Sequence, residues 1–528
     1  MGKIKILDCT LRDGGYVNEW RFGARNISRI INKLSQANID IIECGFLTSK
    51  GGDVDTTLFN DVSKIKGYIK SKNKGLMYVA MIAYPNKIVE NIPICDGSSI
   101  DGIRVTFHEH EIQEAMDVCE ELIKKGYKVF IQPVGVTSYS DSNLIKLIDK
   151  VNLLMPYAFY MVDTLGKMYK NDLLRMFYLI DNNLEKDINI GFHSHNNLQL
   201  SFSNAQELMS LHTKRTIIID SSVFGMGRGA GNLCTELVAQ YINDNIEKNY
   251  NIENLLEIID EQLNTIYSKY PWGYSAPYCL AAINNCHPNY ASHLIDKQTI
   301  SVKSISDILR AISDDKRTIY DKNYIEEIYM QYQKHYIDDE EELQRMKEEV
   351  DGKRVLILAP GKSIESCEAE VKKFIEDYNP YIISINFVPK NIEVDCIFIS
   401  NFKRFDNIFD VIESIDENIR VVITSNITVE KQSRYSIINY TDLLVDNQVV
   451  SDNAGLMLIN LLKRLLIKDV FIAGFDGYTV REKNYVGIDM EFIKSKEQVD
   501  ELNINIKEVI QRLSRNIEIK FITKSKYK

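Results

Sequence analysis

Through roughly the first 225 residues, short runs rich in Ile and Val alternate with longer stretches whose apolar positions recur every three or four residues. The short runs predict eight strands: Lys3–Leu7, Asp40–Gly45, Leu76–Ile82, Asp101–Phe107, Tyr127–Pro133, Tyr157–Asp163, Ile188–His193 and Thr216–Val223. The longer stretches, such as Ile27–Gln36 and Glu111–Lys125, predict helices. In the second of these Ile112, Ala115, Met116 and Cys119 share one face. Strands and helices in strict alternation predict a (β/α)8 TIM barrel, with a doubly wound open sheet as the structural alternative. From about 240 to 350 the strand signals vanish and helical spacing takes over, broken at Tyr270-Pro271-Trp272-Gly273. The densely charged stretch Asp338–Lys353 reads as a solvated helix or linker. Strand signals return at Arg354–Ala359, Tyr381–Asn386, Cys396–Ser400, Arg420–Ser425, Leu443–Val445, Val470–Ala473 and Ile517–Ile522, separated by helical patterns such as Asn453–Ile467. The expected organisation is a barrel over 1–240, a helical extension and linker over 241–350, and a Rossmann-like α/β domain over 351–528.

Composition narrows the partners. Apolar residues make up 45% and charged residues 26% of the 528, which is ordinary for a globular protein, and 528 residues exceed what one core serves. A formal net charge of −11 argues against nucleic acid or an anionic membrane as a partner. Nine cysteines without a Cys-x-x-Cys pair suit reduced thiols. No window is apolar enough to span a bilayer, and the chain enters its first strand at Lys3 without a basic-then-apolar leader. A cytoplasmic enzyme, assembled as a homo-oligomer, is the expectation.

The chemistry follows from what stands after each barrel strand, since that rim carries the active site in such barrels. The first strand leads into Asp8-Cys9-Thr10-Leu11-Arg12-Asp13-Gly14-Gly15-Tyr16, and the second carries Glu43. His108 and His110 follow the fourth, Tyr139 the fifth, and Asp163-Thr164 end the sixth. The seventh delivers His193 and His195, only two of the chain's eight histidines, and the eighth leads to Gly225-Met226-Gly227-Arg228-Gly229-Ala230-Gly231-Asn232. Side chains two apart on a strand share a face, so His193 and His195 can grip one ion. Asp13 adds a carboxylate oxygen and Asn232 a further oxygen. Nitrogen and oxygen donors without thiolate suit Mn²⁺ first, with Co²⁺, Mg²⁺ or Fe²⁺ as alternatives, rather than structural zinc. Arg12 would meet a bound acid, and Glu43 is a natural partner to hold it.

Thr-Leu-Arg-Asp-Gly at 10–14, Glu43, His-Ser-His-Asn at 193–196 and Gly-Met-Gly-Arg-Gly-Ala-Gly-Asn at 225–232 together resemble the DRE-TIM metallolyase superfamily, which includes HMG-CoA lyase, 4-hydroxy-2-oxovalerate aldolase and the isopropylmalate synthases. The resemblance covers about the first half of the chain. It implies that Arg12, Asp13 and Glu43 are the family's signature triad and that Asp13, His193 and His195 ligate a divalent cation. It also implies an aldolase that cleaves or forms a 4-hydroxy-2-oxo acid through a pyruvate-type enolate, with a 2-oxo acid and an aldehyde as substrates. The aldolases carry a histidine base where Tyr16 stands here. Tyr16 would therefore orient water or substrate, and His108 is the better proton-transfer group. Arg12, Tyr139, Asp163 and Thr164 are the expected substrate contacts. The CoA-lyase branch is disfavoured because no cysteine stands in the glycine-rich loop before Cys234, and the carboxyltransferases because Val162 replaces their lysine. A Claisen-type condensing synthase is the second reading. A non-catalytic scaffold is the third, and the converging ligands argue against it.

In the third section Pro360-Gly361-Lys362-Ser363 follows a strand and opens a helix, a place where backbone N–H groups favour phosphate. It lacks the glycine spacing of a Walker A motif, and a tight turn with Ser363 as cap is the alternative. Gly474-Phe475-Asp476-Gly477-Tyr478 is a candidate facing wall of a cleft. The section resembles Rossmann-like modules of surface-glycan synthesis, which implies a nucleotide or sugar-phosphate as its ligand.

Overall fold

The computed structural model describes residues 2–84, 87–246, 248–429, 434–480, 483–487, 490–491 and 494–528. Among the described residues of the first half nine strands form: β1 (Ile4–Asp8), β2 (Ile41–Leu47), β3 (Leu58–Phe59), β4 (Met77–Ala83), β5 (Gly102–Phe107), β6 (Lys128–Pro133), β7 (Ala158–Asp163), β8 (Asn189–Ser194) and β9 (Ile217–Ser221). All pairings are parallel. The sheet runs β1-β9-β8-β7-β6-β5-β4-β2 and closes by pairing β1 with β2. Eight strands thus form the closed barrel predicted from the apolar runs. The two-residue β3 beside β2 is too short to leave a periodic signal.

Burial explains why these runs are apolar throughout rather than alternating. Every residue of β2, β7 and β9 is buried, because one face fills the barrel and the other lies under helices. Helix Ala24–Gln36 buries Ile27, Ile30, Ile31 and Leu34, and helix Ile112–Lys124 buries Ala115, Met116, Cys119 and Leu122. That spacing is the amphipathic stripe a covering helix needs.

One irregularity positions the site. The register of β2 against β4 shifts between Glu43 and Phe46, a bulge with Gly45 at its centre at φ +149°. A Cβ on Gly45 would lie 2.2 Å from the Thr57 carbonyl oxygen. Only glycine lets the chain turn there, and the turn re-aims the strand just beyond Glu43.

The chain divides into two compact units, Met1–Ser292 with Ile312–Tyr320, and His293–Ala311 with Asp321–Lys528. The second unit holds β10 (Val355–Leu358), β11 (Tyr381–Ile385), β12 (Cys396–Ile399), β13 (Arg420–Thr424), β14 (Ser436–Ile438), β15 (Asp469–Ala473) and β16 (Glu518–Phe521). They form one parallel sheet in the order β14-β13-β12-β11-β10-β15-β16. Alternate side chains feed two cores: Val355 and Ile357 join one cluster, and Leu356 and Leu358 the other. Helices therefore cover both faces, and the order reverses between β10 and β15. Helix Glu340–Val350, in the charged stretch, is solvated on one side only and buries Met346 and Val350 in this unit's core.

The expected strand Leu443–Val445 is absent. Helix Tyr440–Leu443 ends there, and the edge strand is the earlier Ser436–Ile438, paired with Val422–Thr424. Leu443 and Val445 are apolar because they pack into the core, not because they pair. A three-residue apolar run does not distinguish the two.

Gly45→Ala tests the bulge. Trp20 and Trp272, the chain's two tryptophans, both belong to the barrel unit, so their fluorescence reports its unfolding alone. The substitution is expected to destabilise the barrel in urea by about 2 kcal/mol or more. A midpoint within experimental error of the parent would show that the bulge is not required.

Candidate metal centre and active site

After β1 the chain makes a compact turn in which the N–H groups of Arg12 and Asp13 both bond the Cys9 carbonyl, at 3.0 and 2.8 Å. This carries both side chains into the barrel mouth, where they are buried. The two glycines that follow are steric necessities: a Cβ on Gly14 would lie 2.2 Å from the Thr10 oxygen, and one on Gly15 would lie 2.0 Å from the Trp20 indole. That indole donates to the Arg12 carbonyl at 2.8 Å and locks the turn. His193 projects from the end of β8. His195 forms an isolated bridge with Asn232, which ties the strand end to the glycine-rich loop after β9.

Asp13, His193 and His195 thus come together. One ligand atom from each lies within 4.8 Å of the others, and all three residues are buried. Asn232 completes the group: its amide donates 2.7 Å to Asp13 Oδ2, while its Oδ1 is buried with no partner. His195 Nδ1 is likewise buried and unpartnered. The loop closes this tightly because Gly227 has no side chain; a Cβ there would lie 2.3 Å from the Asn232 amide and 2.9 Å from Asp13.

The electrostatics fit a cation. Burial pushes His195 down to about 3, so its imidazole is neutral and carries a free lone pair at ordinary pH. Burial alone would raise Asp13, but the Arg12 guanidinium and the two imidazoles outweigh it and hold the carboxylate well below its usual range. A buried carboxylate, two imidazoles and an orphaned amide oxygen are the donors a divalent ion of borderline hardness takes. These residues fit such an ion, and among the described residues no other group of histidine, cysteine and carboxylate side chains is arranged to hold one.

A buried charge network supports the ligands. Arg12 Nε donates 3.0 Å to Glu43, and its Nη1 bonds Asp13. Arg104, fully buried in β5, donates 2.6 Å to the same Glu43 oxygen and also bonds Asp220 of β9. Asp220 Oδ2 lies 3.0 Å from His193 Nδ1, leaving Nε2 of that ring for an ion. Burial would raise Asp220, yet Arg104 and His193 hold it below its ordinary value. Sequence reading paired Arg12 with Glu43 but missed Arg104 and Asp220. Their signal is present: each is a charged residue inside an otherwise apolar strand, in Gly-Ile-Arg-Val-Thr-Phe and Ile-Ile-Ile-Asp-Ser.

The other candidates fall elsewhere on the mouth. His108, Tyr139 and Thr164 line a cavity of about 390 Å³ whose far wall includes Thr318 and Ile319. His108 is half-buried, which lowers its pKa and keeps the ring neutral, while the Tyr139 hydroxyl is buried without a partner. Thr164 Oγ1 accepts from the Gly135 N–H at 2.9 Å. The Asp163 carboxylate accepts from the N–H groups of Lys167 and Met168, at 3.1 and 2.9 Å, and burial raises it to about 6. Both side chains therefore brace turns. Tyr16 is 43% exposed, its ring edge-on to Trp20 at 4.7 Å with the Arg228 guanidinium 5.5 Å away. His287 is buried, and its Nδ1 accepts from the Asn289 N–H at 3.2 Å, a packing role.

The closed parallel barrel thus carries a buried His/His/Asp group at its C-terminal mouth, the rim where barrels of this fold place their active sites. Residues 3–261 match the HMGL-like family, and this part of the chain is an HMGL-like domain. The curated relatives include an oxaloacetate decarboxylase of Mycobacterium tuberculosis, 26% identical over 43% of this chain and 66% of the relative. They also include a 4-hydroxy-2-oxovalerate aldolase of Geobacillus genomosp. 3, 27% identical over 46% of this chain and 70% of the relative. The chain thus spans about two thirds of the length of these relatives. Among solved structures, HMG-CoA lyase of Brucella melitensis aligns with a TM-score of 0.41 at 17% identity, over 49% of this chain and 96% of that one. No helix among the described residues is long and apolar enough to cross a membrane.

Asp220→Asn removes the charge that orients His193 while keeping the shape. Affinity for Mn²⁺, read by titration calorimetry, is expected to fall about 10- to 100-fold with the circular dichroism spectrum unchanged. Undiminished affinity would show that Asp220 does not hold the ligand. Arg104→Met leaves buried Asp220 without a guanidinium partner and Glu43 with Arg12 alone, and is expected to cost about 3–5 kcal/mol of barrel stability in the tryptophan-monitored urea transition; a loss below about 1 kcal/mol would contradict the network.

Proposed function

We propose that the barrel cleaves, and in reverse forms, the C3–C4 bond of a 4-hydroxy-2-oxo acid, interconverting it with pyruvate and an aldehyde. The observation that carries this reading is the placement of Arg12. It is buried beside the Asp13/His193/His195 group, braced by Glu43 and Asp13, with Nη2 buried and unpartnered. A donor held in this way is poised for a substrate oxygen.

Asp13, His193, His195 and Asn232 would hold a divalent cation, Mn²⁺ first, which when bound supplies Lewis-acid stabilisation of negative charge on the 2-oxo oxygen. Arg12 adds a fixed positive contact to that oxygen or the adjacent carboxylate without reorganising during the step. In the cleavage direction the 4-hydroxyl proton passes to a base as the C4–O bond becomes a carbonyl. The C3–C4 electron pair moves into the C2–C3 bond, the ketone oxygen becomes an enolate, and protonation of C3 gives pyruvate. His108, neutral and half-buried, is the proton acceptor in this reading. Tyr139 offers its unpartnered hydroxyl to the substrate. Asp163 and Thr164 shape the floor through the turns they brace, and Tyr16 lies at the exposed edge.

A second reading has one supporting observation, the similarity to the oxaloacetate decarboxylase. Loss of CO₂ from a 4-carboxylate leaves the same enolate and needs no base for a hydroxyl. Both reactions share the enolate half, so exchange of the pyruvate methyl protons in deuterated water tests them together. Metal-dependent exchange is expected in the parent chain and a loss of at least about 100-fold in Arg12→Ala; no exchange with any divalent ion would contradict both. Aldehyde release that falls about 10²–10⁴-fold in His108→Asn supports the aldolase reading. CO₂ release from oxaloacetate untouched by that substitution, with no aldehyde cleavage, would replace it with the decarboxylase.

A further inference from the structure

In the second unit a cavity of about 860 Å³ opens at the C-terminal edge of the sheet, where the strand order reverses between β10 and β15. Open α/β sheets bind ligands at such a reversal. The Pro360–Ser363 turn left phosphate binding and a tight turn capped by Ser363 open as readings, and the structure gives that turn another use. The Asp476 carboxylate accepts the Ser363 N–H at 2.7 Å and also bonds its hydroxyl, so the helix start already holds an anion. Gly361 donates 2.8 Å to the Gly474 carbonyl, and a Cβ on Gly361 would lie 2.2 Å from that oxygen. Its glycine serves the close approach of two turns, not a phosphate cradle. A phosphate here would face the Asp476 charge.

The other anion-favouring features of the cleft are likewise spent. Two longer helices begin at its wall, Phe402–Ser414 and Ala454–Arg464, and each is capped by its own asparagine, Asn401 on the Arg404 N–H and Asn453 on the Leu456 N–H. Among the described residues lining the cleft, the cationic side chains that are not exposed already have protein partners. His293 and Lys297 both meet Glu326, at 2.8 and 2.6 Å; Arg404 donates 2.8 Å to the Met490 carbonyl and Lys494 3.3 Å to that of Asp296.

What the cleft offers instead is hydroxyl chemistry. Asn386 and Asn401 are each more than nine-tenths buried and line the cavity. Each uses Oδ1 to accept a backbone N–H, from Ser400 and Arg404 respectively, which leaves the two donors of each amide group for a ligand. Phe475, Tyr478, Tyr485 and Tyr527 line the same cavity with aromatic rings, while the Tyr485 and Tyr527 hydroxyls donate within the protein, to Tyr478 at 3.4 Å and Asn503 at 3.0 Å. Flat apolar rings that pack on C–H faces, with fixed amide donors beside them, recognise an uncharged polyhydroxylated ring. We propose that this cleft is a saccharide-binding site that engages sugar hydroxyls and not phosphate.

The test is saturation-transfer NMR on the full chain with hexoses, pentoses and N-acetylhexosamines, beside ADP, UDP and CMP. Saturation transfer to at least one free sugar is expected. Asn401→Asp keeps the helix cap but removes the amide donors, and is expected to weaken that sugar about tenfold with no change in melting temperature. Asp13→Ala, which disables the barrel site, is expected to leave the sugar signal intact. Response to the nucleotides alone would overturn the proposal in favour of a phosphate ligand. No response to any sugar, a sugar signal indifferent to Asn401→Asp, or one abolished by Asp13→Ala would each overturn it as well.

Discussion

Everything at the barrel mouth depends on a buried imbalance of charge. Three carboxylates, Asp13, Glu43 and Asp220, share the interior with two guanidinium groups, Arg12 and Arg104. Removing so many charges from water is costly, and mutual pairing repays it only with close geometry and satisfied hydrogen bonds. The pairing here is close but incomplete: one negative charge is left over, and the Asn232 oxygen and His195 Nδ1 are left without partners. A divalent cation among Asp13, His193 and His195 would offset the excess and turn the pocket net positive, which then suits a carboxylate-bearing substrate. Structure and chemistry make the same demand at this point. The network that would be strained without an ion is the one that would position it.

The glycines make the packing possible. Gly45 turns the strand beyond Glu43, Gly14 and Gly15 let the Arg12–Asp13 turn lie against its neighbours, and Gly227 brings the last loop down on Asp13 and Asn232. In the second unit Gly361 and Gly474 do the same for two turns at the sheet edge; Gly474 stands at φ +77° with its missing Cβ 2.0 Å from the Ala359 oxygen. Similar-looking glycine turns therefore do different work. At the barrel they let the Arg12–Asp13 turn and the Asn232 loop pack closely, and at the sheet they close the turn that a phosphate would need.

The barrel was legible because its strands are buried on both faces and read as continuous apolar runs, and because His193 and His195 sit two apart where alternation puts them on one side. Asp13 and Asn232 were legible from the rim rule alone. Arg104 and Asp220 were not, since each stands inside an apolar strand and belongs to no rim motif, although charged residues in such strands are expensive and so informative. The missing strand at Leu443–Val445 and the two-residue β3 mark the lower limit of periodicity as a signal. The Ser363 turn shows a different limit: its occupant, Asp476, comes from 113 residues away, and no local pattern announces it.

Asp13, His193 and His195 are proposed to share one divalent ion. Anomalous diffraction from crystals grown with Mn²⁺ tests it most directly. A single strong peak is expected at the barrel mouth, about 2.2 Å from a carboxylate oxygen of Asp13 and from one ring nitrogen of each histidine. A peak elsewhere in the chain, or none at saturating Mn²⁺ with the three side chains ordered, would contradict it.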